Sequence, residues 1–452
     1  MRNTQGGGGW WSGRKDRSLS SGQGQKDKER AKRKRKPGAT WYHVLSTQAL
    51  PPASSLLASS SFGNNEDHLR LLQTASLTSG VVRTWSSKVK RRKKMAEREW
   101  ASSINSEGVQ FYYEDSGAPS DEVYTTLVVI HGSSYHSAIF TKLLPLAAQH
   151  NLRLVLLNRR DYPGSTPVFP EEVDKIRSTD LNVNAAILRE LGLQIGSFLA
   201  WYVYAASIPS VEIGEDGSSK GGLAVLAWSS GNTLVSAAIA NLSRLEEEKK
   251  VRLRGYLRAY VIYDCPSYIF GLPLQSGLYN PFRDPSLDAK AKAEFFSVWV
   301  TMYYQHPDPD SGSISGLSTR GIENPPPEKI ATYHRFGPDE LETLSCPEAL
   351  LPERCDGNVR YMSSVVWEEN ITKIFSDAPK AEEFPILKIK LIWCRESQPD
   401  IPWAAWQLKS RVDELWKQGK GHRQLEVYSM AGNHFAHWDQ PEETIQVWST
   451  II

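Results

Sequence analysis

The stretch "LAVLAWSSGNTL", Leu223 to Leu234, sets two serines between an apolar run and a glycine. Leu223 to Trp228 is short, wholly apolar and preceded by Gly221 and Gly222, the pattern of a strand buried on both faces of a parallel sheet. After Gly231, alanines and leucines recur at helical spacing, so the serines fall in a strand-to-helix turn. A turn this sharp forces its central residue into strained backbone angles and leaves room only for small side chains two positions to either side. Centred on Ser229, those neighbours are Ala227 and Gly231. Centred on Ser230, they are Trp228 and Asn232, and Trp228 clashes. The rule selects Ser229, with Ser230 supplying the next backbone N–H; a plain Gly/Ser turn after a buried strand is the alternative.

Working outward, strand and helix patterns alternate from Val109, the signature of a parallel sheet covered on both faces. "VQFYYED" (Val109 to Asp115), "YTTLVVIHG" (Tyr124 to Gly132), "LRLVLLN" (Leu152 to Asn158) and "AYVIYD" (Ala259 to Asp264) read as strands, as do "LKIKLIW" (Leu387 to Trp393) and "QLEVYSM" (Gln424 to Met430). Helices are expected over Ser137 to Gln149, Asn182 to Ala206 and from Glu442 to the end. The fold class is α/β, a mostly parallel central sheet flanked by helices.

Between Cys265 and Pro385 the alternation stops, leaving helical segments (Ala289 to Tyr304, Val359 to Phe375) among Pro/Gly/Ser loops. The domain reading is a basic tail over residues 1–94, a core in two parts at 95–264 and 386–452, and a helical insertion at 265–385 placed to form a lid. The insertion is rich in aromatics, including Phe295, Phe296, Trp299, Tyr303, Tyr304 and Trp367.

Charge divides the chain in the same way. Residues 1–94 carry 20 Lys+Arg against 5 Asp+Glu, a net +15, whereas residues 95–452 carry 33 against 46, a net −13. The first segment, with "KERAKRKRK" (Lys28 to Lys36) and "KVKRRKK" (Lys88 to Lys94), lacks the periodicity of a packed domain and is expected to be disordered. Its Lys/Arg runs suit nuclear import or phosphate contact. A solvated tail is the preferred reading, because no folded nucleic-acid module accompanies them. No apolar run reaches the length of a membrane span and no secretory h-region is visible, so a cytoplasmic location is expected, with nuclear or mitochondrial targeting left open by the tail. Cys265, Cys346, Cys355 and Cys394 show neither CxxC nor metal spacing, which predicts free thiols and no metal site.

A serine nucleophile needs a base to take its proton and a carboxylate to orient that base. Among ten histidines, His434 in "SMAGNHFAHWDQPEE" lies in the loop after the last expected strand, where such a base belongs. With "VVIHGSS" (Val128 to Ser134), "AWSSG" and "GNHFAHWDQPE" in this order, the chain from about Ser106 to its end resembles the α/β-hydrolase superfamily, in the branch with a lid after the sixth strand. The resemblance implies an acyl-transfer serine hydrolase with an oxyanion hole made by the Ser133 and Ser230 backbone N–H groups.

The sequence departs from that family in three places that matter. Ala227 stands in the serine turn where glycine is commoner, a change the turn tolerates because alanine is still small. "NRRDYPGS" (Asn158 to Ser165) replaces an acidic and two glycine positions of the family turn with Asn158, Asp161 and Pro163. Where the family usually carries its acid, "WCRESQPD" has Ser397. Asp264, at the end of the preceding strand, is then the favoured acid, with Glu396 the alternative and Asp400 behind it. The expected activity is cleavage of an ester, lactone or related acyl bond of a hydrophobic small molecule, without a cofactor, in a pocket lined by Trp228, Trp299 and Trp367. An acyltransferase, or a catalytically weak ligand-binding relative of such hydrolases, is the rival reading. Neither integral membrane association nor a nucleic-acid partner is expected.

Overall fold

The computed structural model describes the backbone of Glu99–Trp100 and residues 108–273 and 275–452; the basic tail at 1–94 lies outside the described residues. The central sheet has eight strands: β1 (Glu99–Trp100), β2 (Tyr112–Asp115), β3 (Thr125–Ile130), β4 (Leu152–Leu157), β5 (Leu223–Trp228), β6 (Leu257–Tyr263), β7 (Lys388–Cys394) and β8 (Leu425–Met430). Their spatial order is β1-β2-β4-β3-β5-β6-β7-β8. Only β2 runs against its neighbours β1 and β4; every pairing from β4 across to β8 is parallel. A short hairpin of two-residue strands, Glu212–Ile213 with Ser219–Lys220, stands apart from the sheet.

Side chains of one strand alternate between the two faces, and the core divides accordingly. Val128 and Ile130 of β3, with Val225 and Ala227 of β5, join one buried cluster; Leu127, Val129, Leu226 and Trp228 join the other. The first face is covered by α1 (Leu181–Ala205), α2 (Asn232–Ala240), α4 (Ser364–Ser376) and α5 (Asp400–Lys417). The second is covered by the segment Ser137–His150, by α3 (Ala289–Trp299) and by α6 (Pro441–Ile451). With both faces packed, the continuous apolar runs of β3, β4 and β5 follow.

Local details correct the sequence reading. Ser137–His150 winds as a 3-10 helix with Pro145 inside it, a residue with no N–H to give to an α-helical ladder. The helix expected over Ala289 to Tyr304 stops at Trp299. The one expected over Val359 to Phe375 is broken, and α4 starts afresh where the Ser363 hydroxyl accepts the Val365 N–H at 3.3 Å.

Between β6 and β7, at 265–385, the described residues contribute no strand to the sheet, and Ser345 makes one isolated bridge to Tyr135. The insertion does two jobs. Its later part is core: Val366, Trp367, Ile371, Ile374 and Phe375 recur at helical spacing, and α4 packs on α2, the helix after the serines. Its earlier part reaches the loop after β8, where the Asn433 side chain donates to the Thr301 carbonyl at 2.7 Å and to the Thr332 hydroxyl at 3.1 Å. The four cysteines are unpaired and buried.

Candidate active site

Strand β5 delivers its C-terminal end into the turn that holds Ser229, whose φ of +53° is the left-handed conformation that side chains other than glycine resist. The surroundings leave the turn no alternative. A Cβ on Gly231 would stand 2.6 Å from the His131 carbonyl oxygen and 2.8 Å from that of Ile130, and one on Gly132 would stand 2.9 Å from the Ser229 Cβ. The Asn232 side chain then fastens the turn, donating to the carbonyls of Ala227 and Ser229 at 2.8 and 2.9 Å while the Tyr260 hydroxyl donates to its Oδ1 at 2.8 Å.

Asp264 follows β6, two places along the sheet from β3 and next to β5. It too has positive φ, +47°, which turns its fully buried carboxylate across the end of β7. There it accepts the Cys394 N–H at 2.6 Å and the Ser397 hydroxyl at 2.5 Å, and its Oδ2 meets His434 Nδ1 at 2.5 Å. Ser397, at the position where the resembled family usually carries its acid, thus donates to the carboxylate that follows the neighbouring strand. A carboxylate accepts only, so the ring proton of His434 sits on Nδ1 and Nε2 carries the lone pair. Nε2 is buried and has no hydrogen-bond partner among the described residues. The Trp228 indole N–H donates to the His434 carbonyl at 3.0 Å, and the two rings lie 4.9 Å apart, which ties the histidine loop to the end of β5.

The two serines assigned to the oxyanion hole also come together. Ser133 Oγ and Ser230 Oγ are 2.6 Å apart, so the loop after β3 and the turn after β5 meet beside Ser229. Sequence reasoning overlooked the residues that hold that loop, Arg159, Tyr162 and Asp356. "NRRDYPGS" stood out only as a departure from a pattern, and Asp356 carried no signal at all. His437, three residues after His434, is fully buried against Phe140, Trp228 and Phe435, and both its ring nitrogens lack partners among the described residues. Burial, then the neighbouring His434 and Lys142, drive its pKa well below that of a free histidine.

Other expectations are not met by the geometry. Glu396 pairs with Lys329, and its main chain bonds to Gly432 and Tyr304; the side chain that meets His434 is Asp264. Asp400 accepts the Ser267 N–H at 3.0 Å. Of the three tryptophans expected to line one pocket, Trp228 and Trp299 belong to one face of the sheet and Trp367 to the other, where it packs edge-on against Tyr268. Trp367 falls on the core stripe of α4, and helical spacing alone does not say which way a stripe faces.

The strand order, the lone antiparallel β2 and the strained serine between β5 and its helix make this the α/β-hydrolase fold. Solved structures with a similar architecture include an epoxide hydrolase from Solanum tuberosum (14% identity, TM-score 0.45, covering 79% of this chain and 99% of that one). Others are a thermophilic esterase from Thermogutta terrifontis (10%, 0.42, 79% and 98%) and a bromoperoxidase from Bacillus anthracis (12%, 0.40, 78% and 100%). No protein-family model matches the chain, and no curated protein does. Among the described residues no helix is long and apolar enough to cross a membrane.

Proposed function

We propose that this chain is a serine hydrolase that cleaves an ester, lactone or related acyl bond of a hydrophobic small molecule. The observation that carries the reading is the 2.5 Å bond between His434 Nδ1 and Asp264 Oδ2, with the histidine loop tied through the Trp228 indole to the residue before a serine held at φ +53°. Asp264 fixes the His434 tautomer, and Nε2 takes the Ser229 proton as Oγ bonds to the substrate carbonyl carbon. The carbonyl π electrons move onto oxygen, where the Ser133 and Ser230 N–H groups stabilise the charge. When the tetrahedral intermediate collapses, the alcohol leaves with the proton from Nε2; a water then repeats the sequence and frees the acid and Ser229.

The earlier part of the insertion acts as a lid. Ser229 is 7% exposed and His434 1%, so little of either is open to solvent and movement of the lid would widen access for a substrate. Phe296 and Trp299 of α3 share a cluster with Trp228, next to the serine, which favours an apolar acyl group. Each methylene buried there adds up to ~0.8 kcal/mol of binding. Specificity measured as kcat/KM is expected to rise from acetyl to hexanoyl esters, and a steady fall would mark a small-acyl esterase. The reading is tested with a fluorophosphonate, which forms an O–P bond to an activated serine with loss of fluoride. Labelling at Ser229, located by peptide mass and absent from the Ser229→Ala protein, is expected. A folded wild-type protein that stays unlabelled at Ser229 overturns the reading in favour of a ligand-binding protein. Product analysis with an added alcohol separates hydrolysis from acyl transfer.

A further inference from the structure

The peptide between Gly132 and Ser133 has two sides. In a planar trans peptide the carbonyl of Gly132 and the N–H of Ser133 point in opposite directions, so whatever holds the carbonyl aims the N–H. Two buried donors hold it. His131 Nδ1 lies 2.7 Å from the Gly132 oxygen, and Arg159 Nη2 also lies 2.7 Å from it. The main-chain N–H of Arg159 donates to His131 Nε2 at 3.0 Å, which leaves the ring proton on Nδ1, facing the carbonyl. Burial, and next the charge of Arg159, keep His131 neutral by pushing its pKa well below that of a free histidine.

The guanidinium is itself locked. Arg159 is 2% exposed and forms a forked pair with Asp356, Nη1 to Oδ1 at 2.8 Å and Nη2 to Oδ2 at 2.6 Å. The Tyr162 hydroxyl donates to Asp356 Oδ2 at 2.6 Å and accepts the N–H of Ser134, the next residue of the loop, at 3.1 Å. Ser134 has φ +68°, a conformation that persists only where its surroundings impose it, and its carbonyl accepts the Cys346 N–H at 2.5 Å. Asp356 and Cys346 both belong to the insertion.

We infer that Arg159 is a positioning residue for the oxyanion hole: with His131 it clamps the carbonyl side of the Gly132–Ser133 peptide, turning and polarising the Ser133 N–H toward the substrate oxygen, and Asp356 of the insertion holds the clamp. This rests on the hydrolase reading above. A bond donated to one end of a peptide strengthens the donor at its other end, and a charged donor does so more than a neutral one. A dipole already aimed at the developing charge spends nothing on reorientation during the reaction. Arg159 touches no reacting atom in this scheme.

The test compares wild-type protein with Arg159→Lys, which keeps a charge for Asp356 but loses the planar fork, and with His131→Ala and His131→Asn. Hydrolysis of p-nitrophenyl hexanoate supplies kcat and KM, and the fluorophosphonate supplies a second rate, because its phosphoryl oxygen occupies the same hole. In Arg159→Lys and His131→Ala, kcat and the Ser229 labelling rate are expected to fall together, by roughly 10- to 100-fold, with KM within about twofold. His131→Asn, which restores an N–H near the Nδ1 position, is expected to recover a large part of the loss. Unchanged kcat in folded Arg159→Lys overturns the clamp, as does a loss shared equally by KM. If Arg159→Lys does not fold, the histidine pair decides, and equal rates in its Ala and Asn variants overturn it. Wild-type protein unlabelled at Ser229 would instead defeat the hydrolase reading itself.

Discussion

Asp264 and Asp356 are both buried carboxylates bonded to a nitrogen base, one to His434 at 2.5 Å and the other to Arg159 at 2.6 Å, yet they are built differently. Asp264 is fastened by the sheet: it follows β6, accepts the N–H that ends β7, and meets the histidine of the loop after β8. Asp356 is fastened by the insertion and meets a residue 197 positions away in sequence. The first couple joins an acceptor to a ring whose other nitrogen is free to exchange a proton. The second joins two charges that stay fixed. Burial works to raise the Asp356 carboxyl, but the charge of Arg159 and hydrogen bonds from Arg159 and Tyr162 outweigh it and hold it at about 2. In the proposed mechanism, strand ends thus hold the ring that exchanges a proton, while the insertion holds an ion pair that does not.

The comparison breaks most completely where the two sides meet. Ser229→Ala is expected to remove ester hydrolysis by roughly 10³- to 10⁶-fold in kcat, with an unchanged thermal midpoint, because the attacking atom is lost and the packing is not. Retained turnover in the folded variant would end the acyl-transfer scheme. On the sheet side, Asp264→Asn is expected to lower kcat by about 10⁴-fold, since an amide offers an N–H to His434 Nδ1 and favours the wrong tautomer. Glu396→Gln, which loses only its pairing with Lys329, should stay within a few-fold of wild type; the opposite ranking would move the acid to the loop after β7.

On the insertion side, two further expected effects are on stability. Trp367→Ala empties a buried site on α4, the helix that packs on α2, and should lower unfolding free energy by about 3–5 kcal/mol in chemical denaturation, with KM little changed. A large KM effect without destabilisation would return Trp367 to the pocket. For Asp356 the folded value of about 2 lies below the ordinary 3.8, so its ionised form stabilises the fold fully above pH ~4. That contribution is lost as pH falls through about 2. The stability gap between wild type and Asp356→Asn should therefore narrow between pH ~4 and ~2, and a constant gap would show that the charge of Asp356 is not what holds Arg159. The smallest effect is expected from Ser230→Ala, a few-fold in kcat, because the proposed role uses its main-chain N–H and only the bond to Ser133 Oγ is lost.

The sequence by itself determined the sheet and the order along it of the candidate site residues. Continuous apolar runs mark strands buried on both faces, as in Leu223 to Trp228, and small residues at Ala227 and Gly231 decide between two adjacent serines, because both signals are local consequences of backbone geometry. The loop histidine and the three candidate acids were legible for the same reason, since strand ends can be located from periodicity. Only the tertiary structure decided which acid meets His434. Asp264 and Glu396 lie at neighbouring strand ends, and a positive φ at Asp264 swings one toward the ring while Lys329 holds the other away. Only it separated the two parts of the insertion, because the apolar stripe that seats α4 on α2 looks in sequence like one that lines a cavity. The Arg159–Asp356 pair lay furthest from the reach of sequence. A buried ion pair is marked by desolvation and mutual placement, and a Lys/Arg or Asp/Glu in the chain shows neither until folding closes the 197 residues between them.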